Sequence, residues 1–318
     1  MTTKHLTKSI RAIHFLVLAF LMTLSSPVAA QDFQKGLTAA QAGDYATALQ
    51  EWTPLAQAGD ADAQFNLGLM YRKGDGVNQS HEEAKRWFLL AAEKGHASSL
   101  HYLGRMYLEG DGVTQSYQEA KKWFLLAAEK GHASSLHYLG SMYFMGVGVN
   151  QNYEEAKKWF LLAAEKGHVQ ALNNIGIMYE RGNGVIQSSQ KAIKWFLLAA
   201  QKGDVTGQYN LGRSYSDGQG VPKDYKEAMK WYRLAAEQGM PQAQYQLARM
   251  YGNGDGVRPD LETAYMWAYI ASNRDGEAFA PAAEVLTLLD KEMTNAEIAQ
   301  GTLWARECMS SGYTKCGY

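Results

Sequence analysis

Leu103-Gly104-Arg105-Met106-Tyr107, then Gly110-Asp111-Gly112-Val113, then Ala120-Lys121-Lys122-Trp123-Phe124, then Ala127-Ala128-Glu129-Lys130-Gly131: this stretch decides the fold. It recurs at a fixed step. Trp87, Trp123, Trp159, Trp195, Trp231 and Trp267 follow one another at intervals of 36 residues. Gly59, Gly95, Gly131, Gly167, Gly203 and Gly239 keep the same interval, as do Tyr71, Tyr107, Tyr143, Tyr179, Tyr215 and Tyr251. Gly68, Gly104, Gly140, Gly176 and Gly212 form a third series, which Ala248 completes in the sixth copy. A unit of this size repeated six times is a stacked solenoid, because one copy cannot bury its own apolar face and its neighbours must.

Each copy reads as two helices. In the second, helix A spans about Ala97 to Glu109 and carries Leu100, Leu103, Gly104 and Tyr107 on one stripe. Helix B spans about Tyr117 to Lys130 and carries Ala120, Trp123, Phe124, Ala127 and Ala128, the spacing of one apolar helix face. The small residue at the Gly104 position lets the two helices approach closely. The Gly-x-Gly turn between them supplies backbone angles that other residues reach only at a cost, and the Val after it tucks beneath the turn. Ser80-x-x-Glu83 and Ser116-x-x-Glu119 read as capping boxes at helix B starts, with Asn152-x-x-Glu155 and Asp224-x-x-Glu227 as variants. The expected core is a column of six Trp and six Tyr, with Leu67, Gly68 and Tyr71 as the buried helix-A positions of the first copy.

The pattern Leu-Gly-x-x-Tyr, Gly-x-Gly-Val, Ala-x-x-Trp, Ala-Ala-x-x-Gly resembles the Sel-1-like repeat family, a relative of the 34-residue tetratricopeptide repeat. The resemblance covers about residues 60–275. It implies an all-α fold, a right-handed α/α superhelical solenoid of 36-residue helix-turn-helix repeats, and an adaptor or scaffold role in bacterial envelope processes. Two departures stand out. The repeats lack the paired cysteines that some exported members carry, and Ala91 to Tyr102 recurs as Ala127 to Tyr138, which reads as a recent duplication of one unit.

Residues 1–30 read as a secretory signal peptide: Lys4, Lys8 and Arg11, then the apolar run Phe15 to Leu24, then Pro27-Val28-Ala29-Ala30. Ten apolar residues are too few to span a bilayer comfortably. Cleavage is expected after Ala30, giving a periplasmic or secreted chain with no stable membrane anchor. Losing those three basic residues takes the formal charge from −1 to −4, which leaves no basic footprint for nucleic acid. Residues 31–59 read as an N-terminal capping helix pair, in which Trp52 falls one residue late for the Trp register, and 276–318 as C-terminal capping helices and tail. The C-terminal pair is expected over Glu277 to Asp290 and Asn295 to Ser310, the second entered by a capping box at Thr294-x-x-Glu297. Cys308 and Cys316 are expected to form a disulfide, with two free thiols or a redox pair as alternatives.

Motifs that carry chemistry elsewhere have plain readings here. Ser188-x-x-Lys191 matches the nucleophile motif of penicillin-binding proteins and class A β-lactamases, but no Lys-Thr-Gly or Ser-Asp-Asn accompanies it, and Ser188 stands where the copies start helix B. His101 and His137 are repeat-equivalent and within reach of one metal, yet no third ligand is evident, so no metal and no cofactor are expected. The Gly-x-Gly turns lack the Gly-Lys-Ser/Thr of a phosphate loop.

The working surface is expected on the concave helix-A face, as the resemblance implies. Its varying positions are Phe65, Leu69, Arg72; His101, Arg105, Leu108; His137, Ser141, Phe144; Asn173, Ile177, Glu180; Tyr209, Arg213, Ser216; and Tyr245, Arg249, Gly252. The partner-binding set is Phe65, Arg72, His101, Arg105, His137, Phe144, Asn173, Tyr209, Arg213, Tyr245 and Arg249. Arg105, Arg213 and Arg249 share one repeat position and suggest a ladder for carboxylates. The function expected is a non-enzymatic scaffold binding an envelope protein or peptide. The alternatives are a polysaccharide-binding module and a cell-wall-active enzyme.

Overall fold

A computed structural model describes residues 32–273 and 279–316; the expected signal peptide, and the expected start of a helix at Glu277, lie outside them. Sixteen helices and no strand occur among the described residues. The chain divides into two compact units, one up to Trp123 and one from Phe124. The first holds α1 (Phe33–Gln41), α2 (Tyr45–Gln57), α3 (Ala61–Lys73), α4 (His81–Glu93), α5 (Ala97–Glu109) and the start of α6 (Tyr117–Glu129). The second holds the rest of α6, then α7 (Ala133–Met145), α8 (Tyr153–Glu165), α9 (Val169–Arg181), α10 (Ser189–Gln201), α11 (Val205–Asp217), α12 (Tyr225–Glu237), α13 (Pro241–Asn253), α14 (Leu261–Ser272), α15 (Ala280–Glu292) and α16 (Asn295–Ser310). From α3 to α14 the odd-numbered helices are helix A and the even-numbered ones helix B. The fold is an all-α solenoid of helix pairs.

The same local physics ends each helix A. Gly74 turns left-handed at φ 82° and its N–H returns to the Met70 carbonyl; Gly146, Gly182, Gly218 and Gly254 do the same. Gln79, Gln151 and Gln187 then reach back to the carbonyls of Arg72, Phe144 and Glu180 at 2.8–2.9 Å, satisfying further helix-end acceptors.

Helix B starts differ from expectation. Ser80 and Ser116 accept the N–H groups of Glu83 and Glu119, but the returning half of a capping box is missing. The Ser80 and Ser116 N–H groups are already bonded to the Tyr71 and Tyr107 carbonyls at 2.8 Å. The glutamates therefore turn outward, Glu83 to Arg86 and Glu119 to Lys122. The complete box stands at Thr294 and Glu297.

The deepest aromatic column lies one residue after the tryptophans. Phe88, Phe124, Phe160, Phe196 and Tyr232 are at most 2% exposed, whereas Trp123, Trp159, Trp195 and Trp231 are only half buried, edging the core with Lys122, Lys158 and Lys230 over three of the rings. The Tyr71-type positions are likewise half buried in the first five copies. The glycines on helix A make room for the Phe column: a Cβ at Gly140, Gly176 or Gly212 would stand 2.6, 2.5 or 2.8 Å from Phe160, Phe196 or Tyr232. The sixth copy changes both partners, to Ala248 and Ala268. This column also explains Trp52. It is 2% exposed and packs on Gly36, so it occupies the Phe88 register and not that of Trp87.

At the C-terminus α14 is buried on all sides. Met266 and Ile270 are at most 1% exposed, while their equivalents in α12, Lys230 and Leu234, are exposed. The difference is α16, which lies on α14 with Gly301 close to the Glu262 carbonyl and Tyr265. Cys308 and Cys316 are joined in a disulfide and belong to the same buried cluster. Among the described residues no helix is long and apolar enough to cross a membrane.

Candidate functional site: the helix-A face

In the first unit, α3 and α5 bring Phe65, Arg72 and Arg105 around Tyr102. Phe65 lies 5.5 Å from the Tyr102 ring, and the two guanidinium groups lie over that ring at 4.9 and 5.9 Å. Tyr102 was not among the expected groove residues, because it follows His101 rather than sitting at a groove position. His101 is a correction: at 7% exposure it is buried and offers little surface.

The second unit contains a cavity of about 210 Å³ between α7 and α9, lined by Ser141, Phe144, Met145, Phe160, Asn174 and Ile177. Met145 stands at its edge, 63% exposed. Phe144, Ser141 and Ile177 are positions taken from the repeat pattern; Met145 follows Phe144, and Asn174 follows the expected Asn173. Asn173 is a second correction, at 4% exposure, because its side-chain carbonyl accepts the Asn210 amide at 2.9 Å inside the helix stack.

His137 belongs to a half-buried polar pair. Its ring stacks on His168 at 4.3 Å, and its Nε2 meets the Asn174 amide at 3.0 Å. Burial first, and then the neighbouring His168, hold its pKa down to about 4. Burial also lowers His168, against the pull of Asp204, and raises Asp204. No group of three or more His, Cys, Asp or Glu side chains among the described residues could hold a metal ion. His101 and His137, paired above as a conceivable site, fall in different units.

The arginine ladder is mostly occupied. Arg105 pairs with Glu109 at 2.7 Å, and Arg213 with Glu180 at 2.5 Å. Arg249 is different: among the described residues no carboxylate lies within ion-pairing distance, and its guanidinium rests 5.8 Å from the Tyr245 ring. Tyr209 packs on Tyr232 at 5.6 Å and Tyr245 on Phe279 at 5.7 Å. Arg249 and Tyr245 line a second cavity, of about 340 Å³, between α13 and α15.

Ser188 is a helix cap. Its Oγ accepts the Lys191 backbone N–H at 3.3 Å, and the Lys191 ammonium lies over the Tyr179 ring. The motif is accounted for by helix geometry.

The Sel1 repeat model matches residues 61–96, 97–132, 133–168, 169–204, 205–240 and 241–275. The chain belongs to the Sel1 repeat family. Among solved structures, it is similar to a protective antigen present in uropathogenic Escherichia coli strains (31% identity, TM-score 0.77) over 88% of this chain. The chain spans 61% of that antigen's length. It is also similar to a Sel1 repeat protein from Oxalobacter formigenes (32% identity, TM-score 0.71), over 78% of this chain and 99% of that one. No curated protein matches the chain. As a Sel1 repeat protein, the molecule is built as a scaffold whose repeat positions divide into fixed packing residues and a varied helix-A face.

Proposed function

We propose that this Sel1 repeat protein is a non-enzymatic scaffold of the bacterial envelope that binds a partner protein or peptide through its helix-A face. The observation that carries the reading is the cavity between α7 and α9. Phe144, Phe160 and Ile177 make it apolar, while Ser141 and Asn174 add a few polar groups. That composition suits one large apolar side chain of a bound peptide, held in a pocket with sparse polar orientation. Export is supported by the basic and apolar pattern of residues 1–30 and by the Cys308–Cys316 disulfide, a bond characteristic of oxidising compartments.

The test is in-cell photocrosslinking with the reactive residue at Met145, beside the cavity, and at Lys194, on an exposed helix-B face of the same unit. A discrete protein adduct from Met145 alone is expected. Equal adducts from both positions, or capture of glycan and no protein, would overturn the reading.

A further inference from the structure

The two cavities of the second unit are the same place in two copies. Ser141, Phe144, Met145 and Ile177 of the first correspond, three repeats on, to Arg249, Gly252, Asn253 and Val285 of the second. Phe160, which lines the first, corresponds to Ala268. Ala268 does not line the second cavity, so the aromatic side chain lost from its wall is that of Phe144, replaced by Gly252, and the cavity grows from about 210 to about 340 Å³.

Gly252 is not demanded by the fold. It lies in the last turn of helix α13, where glycine costs about 0.5–1 kcal/mol relative to alanine. Yet a Cβ there would meet only the Ala264 Cβ, at an ordinary 3.8 Å. The glycine leaves room in the cavity instead of relieving a clash. The charges around that room are segregated. Arg249, which among the described residues has no carboxylate within 4.0 Å, stands on the α13 wall beside the Tyr245 ring, and Glu284 and Glu292 stand on the α15 wall. Val285 and Leu288 supply apolar surface between them.

We propose that this cavity holds an aromatic side chain of the bound peptide, with an acidic neighbour of that residue on Arg249 and a basic one toward Glu284 and Glu292. The inference rests on the scaffold reading and narrows it to a peptide chemistry: acidic, aromatic, basic. An aromatic side chain matches the space that Phe144 fills in the third copy, and a charge-assisted pair with Arg249 gives direction.

The experiment is fluorescence anisotropy on the full exported chain, with labelled Gly/Ser-rich peptides carrying Asp-Phe-Lys, Asp-Ala-Lys or Lys-Phe-Lys at the centre. Asp-Phe-Lys is expected to bind at least about tenfold more tightly than Asp-Ala-Lys, because the aromatic ring fills the cavity. Gly252→Phe, which restores the residue of the third copy, is expected to weaken Asp-Phe-Lys by a similar factor. Arg249→Glu, a surface change, is expected to weaken it and to reverse the preference toward Lys-Phe-Lys. Lys194→Trp, on an exposed helix-B face, is expected to leave it unchanged. Equal binding of the Phe and Ala peptides, or wild-type affinity in both Gly252→Phe and Arg249→Glu, would overturn the inference. Affinity lost in Ile177→Trp, which fills the binding cavity between α7 and α9, and kept in Gly252→Phe would overturn it while sparing the scaffold reading, which the Met145 crosslink judges separately.

Discussion

The pairing of Gly176 with Phe196 can be taken apart and rebuilt. Phe196 is 1% exposed, and a methyl at residue 176 would stand 2.5 Å from its ring. Gly176→Ala alone forces the ring aside, at about 1–3 kcal/mol for overpacking, offset by about 1 kcal/mol of helix propensity. Phe196→Ala alone empties a closed site and is expected to cost about 3–5 kcal/mol. In the double variant the new methyl enters vacated space and the clash disappears. Its loss should fall short of the sum of the single losses by about 1–2 kcal/mol, the size of coupling found between touching residues. The sixth copy already carries this combination as Ala248 and Ala268, both at most 1% exposed. Urea unfolding of the four proteins, followed by far-ultraviolet circular dichroism, gives the cycle. Single losses that simply add would refute the claim that the glycine exists to seat the ring.

Two further outcomes follow from side chains described above. The folded-state pKa of His137 lies below its ordinary value, so on acidification the unfolded chain takes up a proton that the folded chain refuses, and stability falls as pH drops from about 6.5 toward 4. Between pH 7 and about pH 4.5 the loss from this residue is about 2.5 kcal/mol. His168 acts in the same direction and the raised Asp204 in the opposite one, so the clean readout is the difference between wild type and His137→Tyr, the residue of the fifth and sixth copies; parallel urea curves across pH would contradict it. At helix starts, Glu297→Ala should lower the melting temperature, because it breaks a reciprocal cap. Glu83→Ala should cost less than about 0.5 kcal/mol, because it removes only an exposed pair with Arg86; equal thermal shifts would contradict the distinction.

The sequence carried the fold nearly whole, because every copy repeats the same turn and the same apolar stripe. It did not show which aromatic sits deepest. Trp and Phe are adjacent on helix B and lie about 100° apart around it, so periodicity admits both. Depth is decided by the glycine on the facing helix, which receives the Phe ring. The candidate surface was legible only in part. Asn173 and His137 find partners one repeat away, in Asn210 and Asn174, and such contacts are invisible to a single-copy reading. The Arg213–Glu180 pair had a signal, since both residues occupy groove positions in successive copies with opposite charge. The enlarged cavity of the sixth copy was written as Gly252, but loss of that side chain becomes meaningful only once α15 is seen to wall the space it leaves.

The covering of α14 by α16 has a consequence for how this molecule can change length. Met266 and Ile270 have no solvent side left, so a further copy added after the sixth would find its docking helix already sealed. Growth of the array is therefore an interior event: a unit can be inserted or removed between existing neighbours, whose mating surfaces are alike, but not appended. The near-identity of Ala91 to Tyr102 with Ala127 to Tyr138 is the trace such an insertion leaves. An array that lengthens this way keeps its sixth-copy cavity and its closing helices fixed.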